Sequence, residues 1–431
     1  MRRYKHSLSN YRLLTCDMGK LVPIGLTEAL PGDTIQGSTS LLLRMSPQVA
    51  PVMHPISVRV HHWFVPNRMV FTGWEDFITG GKDGLGNGAI YPTNAAGITP
   101  AIGDVLDYMG VPTGTLFPAG ALGLMPIRAY NKIYNEFYRD EDLITGPAED
   151  STVVQNIAWE KDYFTTARPW TQKGPAVTMP LGTTAEVRTN AADLITGTQP
   201  SLRLNNADGT AKPVAGSALG IAANTGNLYY GGAGPAFAKD TYPSNLYADL
   251  TTASAAQIND IRRAFALQRY QEARAQYGSR YTEYLRYLGI RSSDARLDRP
   301  EYLGGGKQTV AFSEVLRTGN EAADAVNPIG QLKGHGIAAM RSNRFRYFCE
   351  EHGYIITLLS IRPRTMYING IQRTWSRRTK EDYFQQELER IGQQQIFNRE
   401  VFAAGTAADA LTFGYQDRYS EYRHQPSGVS G

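Results

Sequence analysis

Ile56, Val58, Val60 and His62 alternate with Ser57, Arg59 and His61. A two-residue apolar period of this kind is what a half-buried β-strand requires, because successive side chains leave opposite faces of the backbone. Phe345, Tyr347 and Cys349 repeat the pattern against Arg344, Arg346 and Phe348, and the turn EEHG leads into a further apolar run at 354–362. Extended segments broken by Pro and Gly fill the chain between residues 13 and 55. Strands are therefore expected within 20–46, 55–65, 152–181 and 307–364, and the residues alone read as β-rich with helical insertions.

The insertions carry their own signals. Near 104–109 a short helix is expected, and Pro126 opens a longer one with Ile127, Tyr130, Ile133, Tyr134 and Phe137 on one side. Between 254 and 306, Ser254 and Gln257 have capping-box spacing, Ile258, Ile261 and Phe265 recur at helical spacing, and Gly278 supplies a stop. A second helix places Tyr281, Tyr284, Leu285 and Leu288 in one stripe before Gly289. Nine arginines but only six carboxylates share this stretch. Arginine with tyrosine is the pairing enriched where proteins bury surface against one another. Arg269, Tyr270, Tyr277, Arg280, Tyr281, Tyr284, Arg286 and Tyr287 are thus the candidates for a subunit interface, weighed against an ordinary solvated face with local ion pairs.

The formal charge of the 431 residues is only +4, so contact with nucleic acid must come from local patches. One is the arm at 1–12, with Arg2, Arg3, Lys5 and Arg12 and no carboxylate. Another is 341–380, where nine basic residues face only Glu350 and Glu351, and Tyr367 and Trp375 lie among the arginines. Cations for phosphates and rings for stacked bases are the requirements of single-strand binding. The DNA-facing candidates are Arg2, Arg3, Lys5, Arg373, Arg377 and Arg378, the alternative being that these arginines bridge to carboxylates of neighbouring subunits. From 182 to 255 the composition changes: 40 of 74 residues are Gly, Ala, Thr or Asn and nine are charged. That is too polar for a core and too uncharged for a solvating tail, so an ordered or semi-ordered loop insertion is expected.

Signals for chemistry are few. H-E-x-x-H, G-x-S-x-G and C-x-x-C are absent, and GGGKQT at 304–309 lacks the flanking residues of a phosphate-binding loop, which Glu301 and Gln308 replace. His61 and His62, as strand neighbours, point apart and cannot chelate together. Cys16 and Cys349 read as reduced, buried thiols of a reducing cytoplasm. The N-terminus has no secretory pattern and no window reaches the apolar length of a membrane span. No catalytic, cofactor or metal site is expected.

Several runs together resemble one family. GSRYTEYLRYLGI with SDARLDRPEYLGG, WFVPNRMVFTGWEDFITGGKDG, PIRAYNKIYNEFYRDEDL, FTTARPWTQKGPAVTMPLG, EEHGYIITLLSIRPRTMY and TWSRRTKEDYF are similar to segments of the major capsid proteins of microviruses, the small tail-less bacteriophages, closest to the gokushovirus-like branch. FGYQDRYSEYRHQPSGVSG matches too, although relatives continue beyond it whereas this sequence stops at Gly431. The resemblance implies an all-β fold, an eight-stranded viral jelly-roll β-sandwich spanning 1–431, with long inter-strand insertions carrying helices. It implies a non-enzymatic subunit of a T=1 icosahedral shell enclosing circular single-stranded DNA, with residues 182–255 as a three-fold surface protrusion contacting a host receptor. Expected partners are copies of itself, the single-stranded DNA, a pilot protein, a small basic DNA-associated protein and an internal scaffolding protein, with assembly in the bacterial cytoplasm. Two other classes stay open: a jelly-roll carbohydrate-binding or carbohydrate-cleaving protein, and a cellular single-strand DNA-binding protein.

Overall fold

The strand read from Ile56 onward is the middle of the molecule's main sheet. In the computed structural model, residues 4–46, 55–81, 90–177, six short strands between 186 and 249, and 258–278, 280–291, 293–313, 335–389 and 391–429 are described. Two compact units are present, Met1–Lys173 with Glu272–Gly431, and Gly174–Gln271. The first opens with β1 (Leu21–Ala29), β2 (Thr34–Gly37), β3 (Ser40–Arg44) and β4 (Ile56–Pro66). The second holds β5 (Glu186–Thr189), β6 (Leu204–Asn205), β7 (Leu219–Ile221), β8 (Leu228–Tyr230), β9 (Tyr242–Pro243) and β10 (Leu246–Asp249). The first then resumes with β11 (Glu301–Thr309), β12 (Ala311–Ser313), β13 (His335–Arg341), β14 (Phe345–Phe348), β15 (Gly353–Pro363), β16 (Gln393–Phe397) and β17 (Thr412–Asp417). Helices are few, and most are short: α1 (Trp74–Thr79), α2 (Val105–Met109), α3 (Met125–Ile133), α4 (Ile258–Tyr277), α5 (Tyr281–Tyr287) and α6 (Asn398–Val401). The fold is mostly sheet, all-β in class.

The main sheet runs β1-β15-β4-β11 and is antiparallel throughout. Its register sorts the side chains. Val58 lies opposite Ile361 and Val60 opposite Leu359, and these four, with Ile56, pack on Leu41, Leu43 and Met340 of the β12-β13-β3 sheet. Phe64 and Ile355 continue that face onto Phe345, Ile35 and Tyr347 of the β14-β2 pair. The opposite face sends Trp63, Val65, Ile356 and Leu358 against α2 and α3. Each such buried side chain contributes roughly 1.5–3 kcal/mol, so β4 and β15, apolar on both faces, anchor two cores at once. Gly306 of β11 is required by the closeness of the layers: a Cβ there would lie 2.8 Å from Met340 Cε and 3.0 Å from Ser342 Cα.

The helix opened by Pro126 is α3, which buries Met125, Ile127, Ala129, Tyr130 and Ile133. Five residues of wider π-type turn, Tyr134–Tyr138, extend it. Tyr130 Oη donates to Leu21 O (2.8 Å) and accepts from Gln155 N (3.0 Å), pinning the helix to β1 without an unsatisfied buried hydroxyl. The short helix at 104–109 is α2, with Asp104 at its N-cap.

Two expectations are corrected. Residues 152–177 form no strand, only the isolated bridges Lys20–Asn156 and Arg168–Tyr415. The reason is local: Asp162 Oδ1 accepts from the Phe164 and Thr165 N–H groups, and the Thr166 hydroxyl donates to Asp162 O, drawing backbone groups into a turn. Conversely, the strand region expected from 307 starts earlier, because the edge strand β11 begins at Glu301, and β16–β17 form a further antiparallel pair near the C-terminus. Residues 178–181 lie outside the described residues, as does most of 182–255. What is described of that insertion is nested: β7 pairs β8, β6 pairs β9 and β5 pairs β10, all antiparallel. Cys349 is buried and Cys16 half-buried, both free thiols.

Candidate functional site

Gly278 and Gly289, at φ +99° and +80°, end α4 and the turn after α5 in the left-handed conformation that glycine tolerates. The capping residues Ser254 and Gln257 lie outside the described residues, and α4 begins at Ile258. The stripe on α5 exists, but the chain does not cover it. No residue of α5 is buried; Tyr281 is 64% exposed, and Tyr284, Tyr287, Leu288 and Ile290 are exposed as well. Tyr277 and Tyr287 place their rings 5.1 Å apart, both open to solvent. On α4, Arg269 and Tyr270 are exposed, as are Phe265 and Leu267. Exposed aromatic side chains of this kind are those enriched at protein contacts.

Arg280 behaves differently from the other interface candidates. Its side chain is largely buried and reaches back to the π-type turn, donating to the carbonyls of Asn135, Glu136 (2.7 Å) and Arg139 (3.1 Å) and pairing with Glu141 (3.1 Å). It supplies the donors that the end of that helix lacks. Arg299 assists from the other side, 3.4 Å from Glu136, 3.5 Å from Asp294 and stacked on the Phe137 ring at 4.3 Å. Arg286 stays exposed.

The cationic candidates also divide. Arg2 and Arg3 lie outside the described residues; Lys5 is exposed. Arg12 holds the arm down by donating to Tyr108 O (2.5 Å) and Met109 O (3.2 Å) at the end of α2. Arg373 pairs with Glu400 (3.2 Å) and Glu421 (3.8 Å) and donates to Gln395 O (2.6 Å). Arg377 pairs with Glu421 (3.4 Å), hydrogen-bonds the Tyr422 hydroxyl and stacks on that ring at 4.2 Å. Glu400 is buried, which raises its pKa even though the Phe397 N–H and Arg373 oppose the rise. These two guanidiniums are therefore held by the chain's own carboxylates, in a clasp joining 371–378, α6 and the C-terminal segment. Arg378 is exposed, its backbone N–H donating to Asp382 (2.8 Å). The acidic partners Glu400 and Glu421 carried no motif by which the sequence could have announced them.

His61 and His62 point apart as their spacing requires. His61 Nδ1 shares a hydrogen bond with Tyr138 Oη (2.6 Å), whereas His62, 2% exposed, is bonded to Thr357 Oγ1 (2.9 Å) and Ser342 Oγ (3.0 Å). Burial pushes both imidazoles down to about 4, with Arg59 and Arg362 adding to the effect on His61, and His61 to that on His62. Among the described residues, no group of three or more His, Cys, Asp or Glu is placed to hold a metal ion, and no helix is long and apolar enough to cross a membrane.

Comparison with known proteins gives this surface its context. The family described as Capsid protein (F protein) matches residues 1–431. The chain is 36% identical over 431 aligned residues to capsid protein VP1 of Bdellovibrio phage phiMH2K, covering 95% of this chain and 78% of that one. It is 31% identical to capsid protein VP1 of Chlamydia phage 1, with 100% and 84% covered, and 29% identical to capsid protein VP1 of Spiroplasma virus 4, with 100% and 82% covered. Neither the carbohydrate nor the cellular DNA-binding reading gains support from these matches. This chain belongs to the phage F capsid protein family of the microviruses, and its role is that of a structural major capsid protein.

Proposed function

We propose that the chain is the repeating subunit of a closed T=1 icosahedral shell around circular single-stranded DNA, assembled in the bacterial cytoplasm and built on an eight-stranded jelly roll. The observation that carries the reading is α5, an amphipathic helix fixed in place by Arg280 yet burying none of its own stripe. A second copy of the chain is the cover it fits. The strand pairing supports the jelly roll. β1 lies beside the late strand β15, and β2 and β3 lie beside β14 and β13, so early and late strands pair in each layer as in a Greek key.

The nested pairing of β5 to β10 supports an insertion that rises from the shell and returns to its starting point, suited to contact a host receptor at the three-fold axis. Lys5 and the arm at 1–12 stay candidates for DNA contact together with Arg378, and the exposed tyrosines of α4 and α5 for subunit contact. By resemblance, a pilot protein, a small basic DNA-associated protein and an internal scaffolding protein complete the partners. Electron microscopy of purified protein tests the reading: uniform closed particles of one small diameter are expected, and a folded monomer that never closes into particles at high concentration refutes it.

A further inference from the structure

One end of the main sheet carries more positive charge than the chain neutralises. Arg59 of β4 stands opposite Lys307 of β11 in register, and Arg362 of β15 lies opposite the neighbouring Ser57. Like charges directly across an antiparallel pair are destabilising, so such a placement needs a counter-charge. Among the described residues a single carboxylate serves all three: Glu160 pairs with Arg59, with Arg362 (3.4 Å) and with Lys307 (3.5 Å). The next acid along, Asp162, is already engaged by Thr165, Thr365 and Tyr367. Three cations on one carboxylate leave a net +2.

The hydrogen bonding is incomplete in the same place. Arg362 Nη1 donates to Ala158 O (2.8 Å), but among the described residues the Nε atoms of both Arg59 and Arg362 are buried without an acceptor. Burial acts to raise the Glu160 pKa, yet Arg59, Lys307 and Arg362 outweigh it and hold the carboxyl below its ordinary value, while burial and Arg59 lower the Arg362 pKa. The Glu160 shift expresses an excess of cation, whereas that of Arg362 is due first to burial. The site is reachable, since Lys307 has a 54% exposed side chain on the sheet's edge strand.

Aromatic surface flanks the cations. Trp159, adjacent in sequence to Glu160, is 53% exposed, and Tyr302 is 50% exposed. Tyr302 lies opposite Trp63, four residues along β4 from Arg59, so it shares the face of Lys307 roughly 13 Å away. Its ring packs on His61 and Trp63 at 5.7 and 5.0 Å, which fixes its orientation. Cations short of an anion, with one exposed ring next in sequence to their carboxylate and another further along the same sheet face, are the components that take the phosphates and bases of a single strand.

We propose that Lys307, Arg59 and Arg362 form a phosphodiester-binding site for single-stranded DNA, with Trp159 and Tyr302 as stacking platforms. This rests on the shell reading, and it places a DNA contact on the main sheet, on arginines other than those of the Arg373–Arg377 clasp. Phosphate, and not a neighbouring subunit's carboxylate, is favoured because the exposed rings add a base-binding component that an acidic side chain would not use.

The test is fluorescence anisotropy of full-length protein with labelled oligo(dT) between roughly 50 and 200 mM salt. Lys307→Glu is expected to weaken binding at least tenfold and to reduce the salt dependence by about one phosphate contact, a slope change of about 0.7. Lys307→Arg should keep both, and Trp159→Ala should weaken binding with the slope intact. No oligo(dT) binding by the wild type, or equal affinity and slope for wild type and Lys307→Glu, overturns the proposal. So does a Lys307→Glu variant that binds DNA normally but fails to form particles, which would assign the cations to a neighbour's carboxylate. Micrographs of the same wild-type preparations separate this outcome from failure of the shell reading, because closed particles can form whichever way the oligonucleotide result falls.

Discussion

Acidification should act on this subunit through the imidazole of His62, among other groups. The ring is enclosed between β4 and the β13–β14 segment, 4.9 Å from Phe345, and its two nitrogens meet only the neutral hydroxyls of Thr357 and Ser342. Both hydroxyls can accept from an imidazolium, so a proton is not refused for want of geometry. It is refused because the charge would be buried without a counter-ion. Burial takes the pKa from an ordinary 6.5 to about 4 in the folded protein.

Above pH 6.5 neither state binds the proton and no linkage acts. Between 6.5 and 4 the unfolded chain is protonated and the folded one is not, so stability falls as pH falls and levels off below about 4. The whole interval corresponds to roughly 3 kcal/mol, most of it lost by pH 4.5. Glu301 and Glu400, whose pKa values are raised chiefly by burial, act with the opposite sign, so the difference between two proteins isolates the histidine. In His62→Gln the amide can serve both hydroxyls but cannot titrate. Urea unfolding at pH 7 and 4.5 should show the wild type losing roughly 2–3 kcal/mol more than the variant over that interval. Hydrogen exchange at the imidazole C2 position, read by mass spectrometry, should place the inflection for His62 near 4. Parallel pH dependence of the two proteins, or an inflection above 6, would refute the reasoning.

The double variant Tyr281→Glu, Tyr284→Glu should leave the unfolding midpoint of the isolated subunit within about 0.5 kcal/mol of wild type, because no side chain of α5 is buried, and should abolish particles in micrographs and light scattering. Tyr130→Phe should cost about 1–3 kcal/mol in urea unfolding: it leaves Leu21 O and Gln155 N without their buried partner, and near-wild-type stability would show that the hydroxyl is dispensable.

The parts legible in the sequence were those whose cause is local. The β4 alternation fixed both its structure and its faces, and the stripes of α3 and α5 lie where their spacing puts them, each begun or ended by a Pro or Gly with a defined backbone role. β11 was hidden because Glu301–Thr309 contains three consecutive glycines. Low β-propensity and close layer packing here have one origin, since Gly306 is the residue that lets β11 approach β13. The 152–177 segment departs for the converse reason: the Asp162 side chain competes for the backbone N–H groups a ladder would use. Charge counting found the arginines of 341–380 but not their partners. Glu400 and Glu421 lie 27 and 48 residues beyond Arg373, and only the folded chain brings them within reach.

The arginines of the helical region, which composition presents as one set, are two sets with linked tasks. Arg280 and Arg299 are taken up internally, fastening the chain on either side of α5 to the π-type turn after α3, which is itself pinned to β1 through Tyr130. Arg269 and Arg286 are exposed among the tyrosines. Association costs about 0.5–1.5 kcal/mol for each mobile side chain that must be ordered, and more if the backbone beneath it moves. A helix already fastened to the main sheet has met the backbone part of that cost before a second copy arrives. The internal guanidiniums thereby order the backbone beneath the exposed tyrosines, which lowers the ordering cost of any contact made through them.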